Sequence, residues 1–391
     1  MGIFSKLKDK KELALIFDIG SSSVGGAIFE IDKKGIPKII SSIREPIILE
    51  DKIDIDRFLI LTIKALDIVA SKICMMSVIR PLKIFCILSS PWYISQTRII
   101  KIEKNIPFLF TSKIAVDLIQ KEVSLLEQEN LVKFSHDNNK VRLIEFKNMK
   151  IMLNGYFSPN PFNKKIKKLE MTIFVSMSGE QILKKIEETI SRHFNSSDIK
   201  FSSFAMASFA VARDMFIQQE NFVLVDITGE VTDISIIKKD VLNGSISYPL
   251  GYNFMIRSMA DSLNCTLGEA KSFLSLLKDG HAEISVEKKI GPIVDKLKIE
   301  WLKGFQESLV NLSEDISIPA TIFITVDQDL VNFFGDIIKT EQFNQYTLTE
   351  SEFRIIFLDT KTLHSIAAFK DDVNRDLFLI IEAIYINRFI C

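Results

Sequence analysis

Two copies of one pattern constrain this chain more than any other feature: an apolar strand runs into a polar turn and is followed by a second apolar strand. In the first copy, the apolar run 13–17 is followed by the turn DIGSSS, which begins at Asp18, and by the run 24–31. In the second copy, the run 221–225 precedes a turn that begins at Asp226, 208 residues after Asp18. Two such units, separated by the length of a domain, predict a chain with two α/β halves.

Composition excludes several classes of protein. The 391 residues are 47% hydrophobic and 25% charged, which is typical of folded chains with two or three domains. The formal net charge of -1 provides no overall field that would attract nucleic acid or an anionic membrane. The four cysteines lack a C-x-x-C spacing, so neither a zinc site nor a disulfide framework is indicated. Charged residues interrupt every apolar stretch, and the start lacks the order of a secretory signal, so we expect a cytoplasmic protein.

Hydrophobic periodicity predicts the remaining elements. In the first half we expect strands at 38–48, 82–88 and 170–176, and helices at 55–76, 112–129 and 180–194. In the second half we expect a strand at 234–237, helices at 252–263, 267–277, 290–312 and 330–339, strands at 322–325 and 353–358, and a final helix at 376–389. The predicted division is a basic leader 1–12, a first domain 13–93 plus 169–218, an inserted α+β module 94–168, and a second domain 219–391 with a helical part at about 252–318.

Both polar turns carry groups suited to holding a polyphosphate. Glycine permits close backbone approach, hydroxyls donate hydrogen bonds to phosphate oxygens, and an aspartate acts through a bound Mg²⁺. In the first turn these residues are Asp18, Gly20, Ser21, Ser22 and Ser23, and in the second they are Asp226, Thr228, Gly229 and Thr232. The alternative is that each turn is an ordinary hairpin whose polar residues satisfy their own backbone. No Walker A sequence follows either turn.

These residues resemble the two phosphate motifs of the actin-like ATPases, within which the FtsA and PilM branch is the most similar. The motifs are DIGSSSVGGA from Asp18 and VDITGEVTDISII from Val225. Residues 89–122 resemble the start of the small SHS2-type module that this branch inserts, and residues 319–334 lie where the adenosine motif is expected. The resemblance implies two ribonuclease H-like domains around a cleft for ATP and Mg²⁺. It assigns Asp18 and Asp226 to the metal, and it adds Gly251 and the ribose-contacting Glu269 to the cofactor-binding residues.

Three departures from the family pattern bear on catalysis. Val326 and Asp327 stand where the adenosine motif has two glycines, and Glu230 places a carboxylate in the second turn. An inward-pointing Glu230 would repel a γ-phosphate, whereas an outward one would cost nothing. Residues 201–213 lack the acidic residue that FtsA carries at the link between the halves. We therefore expect nucleotide binding with weak ATPase activity at most, and we assign no catalytic residue.

Three functional hypotheses remain open. The first is an FtsA-like cell-division adaptor that self-associates through the module. The second is a PilM-like component of type IV pilus assembly that holds the tail of a membrane protein, either as an ATP-dependent adaptor or as a degenerate, non-hydrolysing scaffold. The third is a sugar or acetate kinase on the same fold.

The ends of the chain and one basic run bear on location. The final helix resembles the closing helix of the fold, not an amphipathic membrane helix, and the leader is too short to anchor the chain. The basic run 164–168 is either a contact for lipid or nucleic acid, or a solvated turn, and it has no interleaved aromatics. We expect a protein partner at the inner face of the membrane, no direct membrane anchor and no nucleic acid.

Overall fold

The computed structural model describes residues 12–76, 81, 83–131, 140–195, 198–278, 283–312, 318–339 and 353–391. The first part of the chain contains β1 (Leu13–Ile19), β2 (Ser23–Glu30), β3 (Lys38–Pro46), α1 (Ile55–Met76), β4 (Lys83–Leu88), β5 (Ile94–Phe110), α2 (Ser112–Leu131), β6 (Val141–Leu153), β7 (Tyr156–Phe157), β8 (Lys164–Gly179), α3 (Glu180–Phe194), β9 (Ile199–Ser203) and α4 (Phe204–Met215). The second part contains β10 (Phe222–Ile227), β11 (Thr232–Lys238), β12 (Val241–Tyr248), α5 (Tyr252–Leu263), α6 (Leu267–Lys278), α7 (Ile284–Leu312), β13 (Thr321–Val326), α8 (Val331–Lys339), β14 (Arg354–Phe357), β15 (Ala368–Phe369) and α9 (Leu377–Tyr385).

The two halves of the chain repeat one sheet topology. β1 pairs antiparallel with β2 and parallel with β4, while β10 pairs antiparallel with β11 and parallel with β13. The first sheet has the order β15-β3-β2-β1-β4-β9, and the second has the order β12-β11-β10-β13-β14. The central strands are buried on both faces, which explains their nearly continuous apolar sequences. The strand-turn-strand units lie at the centre of the two sheets, as the sequence predicts.

A third sheet, of order β5-β8-β6-β7, packs against α2 and forms the inserted α+β module. Its core includes Ile100, Phe110, Ile151 and Met171. The sequence predicts that the module ends at residue 168. The strand β8 continues past this residue to Gly179. The domain division and the assignment to the SHS2 type stay predictions.

Two elements connect the halves in one core. The helices α4 and α9 pack together, and their apolar residues share a cluster with side chains from both large sheets, such as Phe85 and Phe323. The sequence missed α4, β9 and β12. Eight of the twelve residues of α4 are buried and its first nine are apolar or small, so it lacks the polar face from which a helical period is recognised. The predicted α5 is confirmed at both ends, and α7 begins six residues earlier than expected.

Within the described ranges, we find no helix that combines the length and the apolar character needed to cross a bilayer.

Candidate functional site

The two predicted phosphate turns lie against each other. The Ser21 hydroxyl donates a hydrogen bond of 2.7 Å to Thr228 Oγ1, and the backbone N–H of Glu230 donates one of 3.0 Å to Ser21 Oγ. A Cβ added to Gly229 would lie 2.7 Å from the Cβ of Ser22, so only glycine allows this approach. Residues 207 positions apart in the sequence therefore satisfy each other's polar groups directly.

An arginine that the sequence analysis did not single out neutralises the first turn. Arg44, on β3, donates to Asp18 Oδ2 at 2.6 Å, to Ser23 Oγ at 2.9 Å and to both carboxylate oxygens of Asp376 at 2.5 and 2.9 Å. The side chains of Asp18 and Asp376 are only 3% and 8% exposed. Burial raises the pKa of Asp18 although Arg44 opposes the shift, whereas Arg44 outweighs burial at Asp376 and lowers the pKa of that carboxyl. The guanidinium of Arg44 thus supplies the positive charge beside Asp18 that a metal cation would supply.

Asp226 lies at the end of β10 and is nearly fully buried. One of its carboxylate oxygens accepts a hydrogen bond of 2.7 Å from Thr325 Oγ1, and the other has no hydrogen-bond partner among the described residues. Burial, followed by the charge of Asp233, raises the pKa of Asp226 well above its usual range. Burial also raises the pKa of Asp233 to about 6. This pair of carboxyls is therefore costly to ionise.

Glu230 points into the protein and is paired. Its carboxylate receives two hydrogen bonds of 2.7 Å from the guanidinium of Arg257 and a third of 2.7 Å from the Asn253 side chain, both on α5. The Glu230 side chain is 7% exposed, so the ion pair is well shielded from water. The repulsion expected from an inward Glu230 is thereby compensated within the protein.

The start of α5 is docked on the second turn. The backbone N–H groups of Tyr252 and Asn253 donate to the carbonyl oxygens of Thr228 and Gly229, at 3.1 and 2.7 Å. A Cβ on Gly251 would lie 2.3 Å from the Gly229 oxygen, which requires glycine at this position. The first two backbone N–H groups of this helix are thus hydrogen-bonded to the second turn.

Thr232 and Glu269 have structural partners. The Thr232 hydroxyl donates to the Leu250 carbonyl at 2.8 Å and accepts from Trp301 Nε1 at 3.1 Å. Glu269 forms a reciprocal capping box with Thr266 at the exposed start of α6, and the backbone hydrogen bond from Thr266 lowers the pKa of Glu269. The predicted ribose contact of Glu269 stays a prediction.

The space between the turns is too small for a polyphosphate in this arrangement. The cavity lined by Asp18, Gly20, Ser22, Ser89 and Asp327 measures about 10 Å³, whereas ligand sites measure roughly 300–1,000 Å³. The backbone N–H groups of Gly20, Thr228 and Glu230 are used within the turns and by Ser21. Asp18 Oδ1 and Asp226 Oδ2 lack partners in the described part of the chain, but no group of three potential metal ligands was found there. Mg·ATP therefore does not fit these residues as they are arranged here.

Two further buried carboxylates were missed by the sequence analysis. Glu145, from β6 of the module, accepts hydrogen bonds from both Ser202 and Ser203 at the end of β9 and from the Tyr385 hydroxyl. The module thus supplies an acidic group to the link between the halves, which has none of its own. Glu382 is fully buried in α9, and burial, followed by the charge of Asp18, raises its pKa. A single glutamate inside an otherwise apolar helix was the available signal for Glu382.

Comparison with known proteins gives a result at the level of structure. No protein-family model matches the chain, and neither does any curated protein sequence. The structure of a PilM-PilN type IV pilus biogenesis complex aligns over 96% of this chain and 96% of that chain, with a TM-score of 0.59 and 12% identity. The duplicated sheets and the inserted module lie within this alignment. The chain has an actin-like ATPase fold.

This actin-like chain also aligns with two structures at lower TM-scores. One is the ethanolamine utilization protein EutJ from Carboxydothermus hydrogenoformans, which matches over 95% of this chain and 88% of that chain, with a TM-score of 0.42 and 11% identity. The other is a Bacteroides thetaiotaomicron protein of unknown function with an actin-like ATPase fold, at 98% coverage of both chains, a TM-score of 0.38 and 9% identity. At 12% identity, the likeness to the PilM-PilN structure establishes the fold alone.

Proposed function

We propose that this chain is a PilM-type scaffold of a membrane-associated assembly machinery, and that hydrogen bonds between its own two turns hold its two halves together in place of Mg·ATP. The observation that carries the proposal is the direct contact of the two phosphate turns through Ser21, Thr228 and Glu230. In a nucleotide-dependent relative of this fold, the phosphates would lie between these turns. In this chain, hydroxyls and a backbone N–H group of the turns bond each other where the phosphates would lie.

Two ion pairs support this reading. Arg44 connects Asp18 to Asp376, which precedes α9, and Arg257 connects Glu230 to α5. Each pair is shielded from water, so salt screens it weakly. Each also holds one phosphate turn to a helix that follows it in the sequence. Each ion pair therefore fixes one turn, and the hydrogen bonds among Ser21, Thr228 and Glu230 join the two turns.

A protein partner in a pilus or division machinery is part of the same proposal. The PilM of the aligned complex is bound to PilN, and a scaffold of fixed geometry suits the display of a binding surface to such a component. Pilus assembly is favoured over division because that complex aligns over nearly the whole chain. The contact between the two turns argues against the kinase hypothesis, since a sugar kinase needs an open cleft between its halves.

Thermal melting with and without Mg·ATP tests the proposal. A ligand that binds the folded state stabilises it by RT ln(1 + [L]/Kd), about 2.7 kcal/mol at one hundred times Kd. We expect no shift in the melting temperature of the wild type. A shift that is lost in Asp18→Ala and retained in Glu269→Ala would instead place the nucleotide at the turns and refute the nucleotide-free scaffold.

A Mg·ATP-dependent adaptor is the second candidate. The unpartnered oxygens of Asp18 and Asp226 favour it, together with a cavity of about 160 Å³ lined by Val326, Asp327 and Phe357. This candidate requires the hydrogen bond between Ser21 and Thr228 to break and the turns to separate. Capture of the cytoplasmic tail of a membrane protein encoded beside this gene would test the partner under either candidate, and its dependence on Mg·ATP would separate the two.

A further inference from the structure

The far end of the inserted module combines exposed apolar side chains with unpaired lysines. We define this distal end as residues 99–109 and 154–168. The hairpin formed by β6 and β7 places Tyr156 and Phe157 there, with exposed fractions of 79% and 63%. Ile106, in the irregular part of β5, is 78% exposed. Large exposed apolar side chains at one end of a module indicate a surface that contacts a membrane or another molecule.

The hairpin brings the aromatic residues next to the basic run. Asn154 Oδ1 accepts hydrogen bonds from the backbone N–H groups of Lys167 and Lys168, at 2.9 and 3.0 Å. Residue 106 lies in the segment of β5 opposite Lys167, because the pairing with β8 skips from Glu103 to Phe108. The run lacks aromatics in its own sequence, and the aromatic residues of this end lie on β7, which β6 separates from β8 in the sheet.

The lysines of this end are only partly compensated. Lys101 and Lys168 face glutamates at 3.7 and 2.6 Å. For the other exposed lysines, no carboxylate of the described residues lies within ion-pair distance; these are Lys104, Lys164, Lys165 and Lys167. On a chain whose formal net charge is -1, this is a local excess of positive charge.

We propose that the distal end of the module binds the surface of an anionic phospholipid bilayer. Tyrosine and phenylalanine insert at the depth of the headgroups, and each lysine within a Debye length of anionic lipid strengthens binding about fivefold. Exposed aliphatic side chains such as Ile106 and Leu109 favour lipid over single-stranded nucleic acid, which is bound in grooves by stacked aromatics. The contact is peripheral and independent of the nucleotide question.

Co-sedimentation of the full chain with vesicles tests this proposal. We expect binding to vesicles of phosphatidylcholine with phosphatidylglycerol and little binding to phosphatidylcholine alone, and the binding should weaken with salt. Each neutralised lysine should weaken binding about fivefold, so Lys165→Gln combined with Lys167→Gln should weaken it about 25-fold. Tyr156→Ser with Phe157→Ser should also reduce it, and because both side chains are exposed, the melting temperature should be retained.

A matched control removes the same charge elsewhere. Lys288 and Lys289 are exposed on α7, and Lys288→Gln with Lys289→Gln should bind like the wild type. Equal binding of the wild type to neutral and anionic vesicles, or unchanged binding by the Lys165 and Lys167 variant, would overturn the proposal. So would tighter binding to single-stranded DNA than to vesicles, or a concentration-dependent dimer that Phe157→Ser abolishes.

Discussion

Replacing Arg44 by methionine should destabilise the protein strongly, because this change removes the cation that two buried carboxylates share. Methionine keeps much of the apolar stem of the side chain and removes the guanidinium that bonds Asp18 and Asp376. Breaking a buried ion pair by removing one partner costs about 3–5 kcal/mol. Since the Arg44 side chain is 20% exposed, we expect the lower end, about 3 kcal/mol.

Urea unfolding at neutral pH measures this loss, and a double-mutant cycle identifies its cause. Asp376→Asn should recover part of the loss when it is combined with Arg44→Met, because one uncompensated charge is then absent. Arg57→Met is a suitable control, since Arg57 pairs with Glu50 at the surface with a side chain that is 51% exposed. A loss below about 1 kcal/mol for Arg44→Met would contradict the reasoning, because that is the range of surface ion pairs.

Three further predictions concern single positions. In thermal melts, Gly251→Ala should lower the free energy of unfolding by about 2 kcal/mol or more, because its Cβ would meet the backbone of Gly229. The control Gly291→Ala, on α7, has no heavy atom near the new Cβ and should not destabilise the protein. Because the folded pKa of Asp233 is about 6, the native state binds more protons than the unfolded chain between about pH 4 and pH 6, and the free energy of unfolding falls as pH rises through this window. Asp233→Asn should remove up to about 3 kcal/mol of that fall. An unchanged pH profile of this variant in urea titrations would refute the assignment. Glu269→Ala should lower the melting temperature only slightly through loss of the capping box, and it should leave any Mg·ATP response unchanged if Glu269 does not contact ribose.

The sequence predicts the parts of this fold that depend on local pattern. The turns after β1 and β10 combine apolar runs with glycine and hydroxyl residues, and both occur where predicted. Both predicted ends of the helix α5 are confirmed, and in the structure Gly251 precedes the helix and Asn264, in the left-handed conformation, ends it. By contrast, α4 is buried on every side and shows no period.

For the candidate site, the sequence indicates the two facing turns and not which of their groups bond each other, and the role of these residues in holding a nucleotide stays a prediction. The sequence brings Ser21 and Thr228 to facing turns, but it cannot show that their hydroxyls bond each other instead of a ligand. The pairing of Arg44 with Asp376 spans 332 residues, and no local pattern specifies such a contact. The same holds for Glu145, whose partners Ser202 and Ser203 lie in another part of the chain.

Hydrogen exchange at the two phosphate turns, measured with and without Mg·ATP, tests the central claim most directly. If the chain's own hydrogen bonds close the cleft, the backbone N–H groups of Gly20, Thr228 and Glu230 exchange slowly in the free protein, because each is hydrogen-bonded within the site. Addition of Mg·ATP should then leave their exchange unchanged. Fast exchange in the free protein that becomes slow with Mg·ATP would contradict the account and show that the nucleotide closes the cleft.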